Sequence, residues 1–285
     1  MREASAYILY SLLKDLGEAA NSLPLSPSLV EWLNNQSFFT ASLTPGLSLV
    51  ETWFERIHPS WFVTYFRTLP EEDIQKFLSI FRTENRKTVK KLLLVTEADV
   101  ELHSSTKLFL RSFLWGKLPS APSPLELEAL VHKKVEEPGL HRLYRLDPSF
   151  LRNLPRFLGL HDLAGSLPHL IDAQKIKKIQ ESLTPSEKSY LQYLSKKSSI
   201  TALAKMHFTQ WNEDPLLLKE ILYERGVDRL AKLTMQEPFA LKWYLIHVLE
   251  ETHGQLFKKA YLHPPPEKMV TQMQEELLEL LSFVK

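Results

Sequence analysis

Two adjacent residues invite chemistry first. In Leu160-His161-Asp162-Leu163 an imidazole and a carboxylate stand side by side, and both are ligands for a divalent metal. A metal site needs more than two ligands, and a His-Asp pair is also an ordinary start to a helix at a turn. The second reading is the stronger one. Other chemistries lack their residues. The eight glycines are scattered, with no phosphate-cradling loop among them. Neither His-Glu-x-x-His nor Gly-x-Ser-x-Gly occurs. The absence of cysteine removes thiol nucleophiles, thiolate metal sites and disulfides. His247 and His253 are six residues apart, which on an ideal helix turns them about 120° from each other and suits no shared metal. Most of the ten histidines are expected at the surface or at helix ends.

The His161-Asp162 segment resembles the dyad of the all-helical HD metal-dependent phosphohydrolases. That resemblance implies an upstream histidine, with His132 and His141 as the candidates, and a distant aspartate, Asp214 or Asp228. The chain departs from the pattern directly after the dyad. Ala164-Gly165 stands where Gly-Lys or Gly-His is common, and Pro148 and Pro155 would interrupt the helices that present the ligands. The expectation is therefore a protein that is not an enzyme and needs no cofactor or metal.

The elements that must position these residues read as helices throughout. Glycine is scarce (8) and proline frequent (18), and no Asn-Gly or Asp-Gly hairpin signal occurs. Leu-rich amphipathic runs recur between the prolines, so the fold class is all-α: a multi-helix bundle of short, proline-punctuated helices. The spacing predicts helices over 4–16, Leu29–Asn34, Leu47–Ile57, Leu108–Trp115, Leu125–Val135, Phe150–Leu160, Leu163–Leu170 and Ala173–Leu183. Others follow at Leu203–Trp211, Leu216–Tyr223, Leu230–Met235 and Phe239–Glu251. Thr184-Pro185-Ser186-Glu187 has the form of a capping box. The run Arg86, Lys87, Lys90, Lys91 reads as a solvated helix face. Leu118–Pro124, with three prolines, is the clearest linker. It divides an N-terminal helical subdomain (1–117) from a C-terminal one (125–262), with a terminal amphipathic helix at 267–285. A 44% hydrophobic chain of 285 residues can bury one large helical core or two smaller ones. The 35 basic and 34 acidic residues nearly cancel, which disfavours a nucleic-acid binder. No apolar run reaches eighteen residues, so no direct membrane insertion and a cytoplasmic location are expected.

Two stretches stand out for their apolar content. Ile57–Asp73 carries Trp61, Phe62, Tyr65, Phe66 and Leu69 between Pro59 and Pro70, a broad apolar face on a short helix, with Pro59 starting it and Trp61 as its core anchor. At the C-terminus Val270, Met273, Leu277, Leu280 and Val284 are spaced 3, 4, 3, 4. That is a two-heptad seam, too short for a coiled coil alone. It either packs on its own domain or docks into a partner's groove. Pro59, Pro148 and Pro238 lie 89 and 90 residues apart, each after a Gly-apolar pair. The Gly-to-Pro distances vary (13, 9 and 12), which weakens a reading of stacked repeats.

Ile57-His58-Pro59-Ser60-Trp61 with Leu69-Pro70, and Phe157-Leu158-Gly159-Leu160 through Leu163-Ala164-Gly165-Ser166-Leu167 to Ile176–Leu183, resemble signatures of one family. It comprises the cytoplasmic accessory proteins of type III secretion systems (SctK type, YscK/PscK/OrgA-like). The likeness covers roughly residues 47–195 and leaves both ends uncovered. It implies a non-enzymatic adaptor at the cytoplasmic face of the inner membrane, linking the inner-membrane ring to the sorting platform and its ATPase assembly. The implied partners are protein subunits of the secretion apparatus: the cytoplasmic domain of the ring and the platform pod protein. The expected contact residues are His58, Trp61, Phe62, Val270, Met273, Leu277, Leu280 and Val284. A weaker similarity, around Leu69-Pro70-Glu71-Glu72, is to the helical repeats of flagellar rotor switch proteins.

Overall fold

The computed structural model describes residues 49–96, 100–132, 139–197, 201–203, 205–206, 208 and 211–283. The expected elements at 4–16 and 29–34, and Val284, lie outside them. The described residues are helical with no strand, and no helix among them is long and apolar enough to cross a membrane. The chain divides into two compact units, Met1–Ala129 and Leu130–Lys285.

In the first unit, α1 (49–54) leads through a turn to a 3-10 segment, Pro59–Phe62. There follow α2 (Val63–Phe66), α3 (Glu71–Leu78), α4 (Thr83–Leu93), α5 (Ser104–Trp115) and the start of α6 (Pro124–His132). The core is aromatic. Phe54 packs on Phe62 and Phe81 at centroid distances of 5.3 and 5.2 Å, and Phe66 on Phe77 at 5.4 Å. Such spacings add ring–ring attraction to the area buried. Arg111 of α5 bonds the Ile80 carbonyl from Nε (3.0 Å) and from its terminal nitrogen (2.7 Å), and pairs with Glu51 and Glu55. The proline linker is packed rather than free: Trp115 Nε1 donates to the Pro122 carbonyl at 3.3 Å, and Leu118 is buried.

The second unit begins with a 3-10 turn, Leu140–Arg145, then α7 (Pro148–Ser166) and a short 3-10 turn, Leu167–His169. It continues with α8 (Ala173–Ser182), α9 (Pro185–Ser195), α10 (Pro215–Leu233), α11 (Phe239–Val248), α12 (Glu251–Ala260) and α13 (Glu267–Phe283). Its centre is the crossing of α7 with α10, on which the other helices pack. Two glycines make that crossing close. A Cβ on Gly159 would lie 2.0 Å from the Leu222 carbonyl oxygen, and one on Gly226 1.6 Å from that of Pro155. Backbone meets backbone at both points, so only glycine fits.

Three expectations are corrected here. Pro155 and Gly226 do not break their helices: each lies inside a continuous 19-residue helix. The tertiary contact they share outweighs the local cost of proline and glycine in a helix interior. The described residues between 201 and 211 are not helical, because buried side chains take their backbone N–H groups. Finally, Phe239–Glu251 is interrupted, with Val248 ending α11 and Glu251 opening α12. The Thr184–Glu187 capping box is present, with the Thr184 hydroxyl accepting from Glu187 N at 3.3 Å and the Glu187 carboxylate accepting from Thr184 N at 2.7 Å.

Candidate functional site: a buried polar junction in the second unit

The glycine crossing places ionisable residues next to one another. Two and three positions beyond Gly159 come His161 and Asp162 of α7, and three beyond Gly226 comes Arg229 of α10. Each is only 1% exposed. Tyr190 of α9 (1%) and Glu276 of α13 (6%) close the group. Tyr190 Oη lies 2.9 Å from His161 Nε2, and His161 Nδ1 faces Glu276 Oε2 at 3.5 Å. The Tyr190 hydroxyl and Nε2 share a hydrogen bond, while Nδ1 is buried beside the carboxylate without a hydrogen bond of its own. Arg229 pairs with Glu276 on one side and donates to the Thr201 carbonyl at 2.6 Å on the other. It also stands 3.9 Å from Asp162 Oδ1.

The junction also holds the irregular segment. Thr201 N donates to Glu276 Oε1 at 3.0 Å, Leu203 N to Asp162 Oδ1 at 2.9 Å, and Met206 N to the Ser166 hydroxyl at 2.9 Å. Three backbone N–H groups that a helix would have satisfied internally are satisfied by buried side chains instead.

Burial sets the protonation states. Desolvation, with the positive charges of Arg229 and Lys197 adding to it, holds the His161 imidazole well below its ordinary pKa, so the contact with Glu276 is not an ion pair. Desolvation raises the Asp162 carboxyl, against the lowering effect of the Leu203 N–H and Arg229. It also pushes the Tyr190 phenol up, so the hydroxyl keeps its proton. Tyr190, His161 and Glu276 stand in the sequence hydroxyl, imidazole, carboxylate that proton relays use, but Nδ1 makes no hydrogen bond to the carboxylate. All three groups are sealed from solvent and the proton is held at Tyr190. The array joins α7, α9, α10 and α13.

A metal does not fit it. The Arg229 guanidinium puts a positive charge between the two carboxylates that a cation would need. The other implied ligands are employed elsewhere. Asp214 caps α10 through Leu216 N at 2.9 Å, Asp228 pairs with Lys232 at 2.7 Å, His132 ends α6 and His141 lies in the 3-10 turn. Among the described residues no group of three or more His, Asp or Glu is placed to hold a metal.

The expected contact residues fare differently. His58 caps the 3-10 segment, its Nδ1 accepting from Ser60 N at 3.3 Å with Pro59 at the first position. His-Pro-Ser is thus a helix-start device, and Asp147-Pro148-Ser149 repeats it with Asp147 accepting from Ser149 N at 2.8 Å. Trp61 is half-buried, and the anchors of its stretch are Phe62 and Phe66, which corrects the expectation for Trp61. Phe62, Val270, Met273, Leu277 and Leu280 are all buried, at 4% exposure or less. As surface contacts these five are corrected: they pack inside their own units, because an apolar face of that size is covered by the nearest apolar surface. The residues missed are Tyr190, Arg229 and Glu276. For Arg229 and Glu276 the signal was a charge at a core position: Arg229 keeps the helical period of Leu222, Gly226 and Leu233, and Glu276 adjoins the seam residue Leu277.

An exposed aromatic feature of the first unit lies on α5, beside the more exposed aliphatic side chains Leu94 and Leu125 elsewhere in the unit. Phe109 is 45% and Phe113 36% exposed. Tyr65 packs on Phe113 at 5.9 Å, and Lys117 Nζ lies 4.8 Å from the Phe113 ring and 5.4 Å from the Tyr65 ring. This is an aromatic patch with an ammonium held over it.

No family model, curated protein or solved structure matches this chain.

Proposed function

We propose that the protein is a non-enzymatic adaptor that links the inner-membrane ring of a type III secretion system to its sorting platform at the cytoplasmic face of the membrane. The observation that carries a binding rather than a catalytic reading is the contrast between two groups of residues. The groups best arranged for chemistry, Tyr190, His161 and Glu276, are sealed in the interior. The aromatic and cationic groups Phe109, Phe113 and Lys117 are left at the surface, and aromatic side chains beside a cation suit an interface. The choice of apparatus rests on the sequence resemblance at His58-Pro59-Ser60-Trp61 and Phe157–Leu183. On this reading the partners are the ring's cytoplasmic domain and the platform pod protein, and the α5 patch receives an acidic, apolar surface.

Capture of purified ring and pod subunits by the full-length chain tests the proposal. Stoichiometric binding to at least one of them is expected. Failure to bind either would overturn it; iron, manganese or zinc that co-purifies and is lost on His161→Ala would overturn it in favour of a metal phosphohydrolase.

A further inference from the structure

We propose that the polar junction of the second unit is an internal hydration site, in which ordered water bridges side chains that the protein itself leaves unmet. The atoms concerned are His161 Nδ1, Asp162 Oδ2, Thr201 Oγ1 and Arg229 Nε. All four are buried and none has a hydrogen-bond partner in the chain. They belong to one array, because their neighbours are shared. Arg229 donates to the Thr201 carbonyl at 2.6 Å and pairs with Glu276, and Glu276 Oε1 accepts from Thr201 N at 3.0 Å. His161 Nδ1 faces Glu276 Oε2, the oxygen that Arg229 meets. A buried polar atom without a partner forfeits its hydration and gains nothing in exchange. Native interiors rarely tolerate one such atom, let alone a group of them.

The separations within the junction agree with this. Arg229 Nη1 and Asp162 Oδ1 carry opposite charges in a buried site, yet they stand 3.9 Å apart. Each is already engaged: Oδ1 accepts from Leu203 N at 2.9 Å, and Nη1 donates to the Thr201 carbonyl. Closing the pair would break one of those bonds. What remains for the two residues to use is the second carboxylate oxygen, Oδ2, and the third guanidinium nitrogen, Nε. Polar groups held beyond direct hydrogen-bond distance are joined through water at little enthalpic loss. His161 Nδ1 and Glu276 Oε2, at 3.5 Å, show the same relation.

The chemistry of the unmet atoms selects the ligand. Arg229 Nε can only donate, an ionised Asp162 Oδ2 can only accept, and the Thr201 hydroxyl and a neutral imidazole Nδ1 can do either according to rotor and tautomer. A cation would answer the carboxylate but meet the Arg229 guanidinium. An anion would answer Arg229 but meet the carboxylates of Asp162 and Glu276. Only a neutral molecule that both donates and accepts serves the whole set. His161, Asp162, Thr201 and Arg229 are all buried, so the molecule must also be very small. Water meets both conditions, and internal waters characteristically bridge about three such groups.

The test is a high-resolution crystal structure of the full-length chain, grown once without halide and once in sodium bromide. The expected result in both crystals is a peak without anomalous signal, about 2.7–3.2 Å from at least two of the four atoms. Arg229 and Asp162 bonded directly to each other, with no peak beside them, would overturn the proposal. A bromide anomalous signal at the site would overturn it too, by making the junction an anion site. Thr201→Val gives an independent reading in solution. Valine is close to threonine in shape and lacks only the hydroxyl. Losing a hydroxyl that bonds nothing is neutral or stabilising, whereas losing one that holds a bridging water leaves that water and its other partners short of a bond. The hydrated junction therefore predicts a lower urea midpoint for Thr201→Val than for wild type, with native helicity by circular dichroism. An unchanged or raised midpoint would mean that the hydroxyl is dry and would overturn the proposal.

Discussion

His161 and Asp162 are neighbours in the chain but serve different partners: the imidazole reaches Tyr190 and Glu276, while the carboxylate holds Leu203 N and faces Arg229. The sequence makes the pair visible but not its setting. The groups that neutralise it, Arg229 and Glu276, lie 67 and 114 residues beyond Asp162. Only the tertiary fold brings them together, and no local spacing announces them. Removing one buried partner alone leaves a bare charge. Arg229→Met should therefore cost about 3–5 kcal/mol in urea unfolding. Arg229→Met with Glu276→Leu should recover part of that loss, the remainder reflecting the unmet carbonyl and N–H of Thr201. A second residue-scale prediction concerns pH. His247 is buried in α11, with Nδ1 donating to the Trp243 carbonyl at 2.7 Å, and desolvation brings its pKa down to about 4. A folded-state value below the unfolded 6.5 means that stability is fully present above pH 6.5 and is lost as pH falls towards 4. Between pH 7 and pH 5 this one group should remove about 2 kcal/mol. His247→Leu should flatten the thermal-melting profile in that window, with His161 leaving a residual slope of the same sign. The raised carboxyls of Asp162, Glu55 and Glu237 act oppositely at lower pH, since the folded state holds their protons more tightly.

At the scale of elements, helix starts are legible because capping chemistry is local. Thr184–Glu187 behaves as its sequence reads, and Thr184→Ala should cost about 1 kcal/mol. Helix interiors are less legible. Pro155 and Gly226 read locally as breaks, yet they are the two sides of one close crossing, a pairing between residues 71 positions apart that periodicity within a window does not register. The described residues between 201 and 211 mislead in the opposite direction. Leu203, Met206 and Trp211 belong to a run that reads as a helix, but buried carboxylates and a hydroxyl take the N–H groups of Thr201, Leu203 and Met206. The crossing carries a sharp prediction. Gly159→Ala or Gly226→Ala forces a methyl into a carbonyl at 2.0 or 1.6 Å. Each should destabilise the chain by about 3 kcal/mol or more, whereas Gly116→Ala, whose nearest neighbour would be at 3.4 Å, should leave the urea midpoint nearly unchanged.

At the scale of the whole molecule, the all-α class follows from composition: few glycines, many prolines and no hairpin signals. Which aromatics lie inside and which lie outside does not follow, because an aromatic stripe has the same spacing in either case. Trp61 and Phe62 are adjacent and only the second is a full core residue, while Phe109 and Phe113 remain at the surface of α5. The adaptor reading therefore rests on that patch, with the polar junction left to hold the second unit together. The most direct test is a binding titration of the full-length chain against the purified pod protein and the ring's cytoplasmic domain, comparing wild type with the Phe109→Ala, Lys117→Ala double variant. The account predicts at least about tenfold weaker binding with the melting temperature unchanged. Undiminished binding by a folded double variant would contradict it.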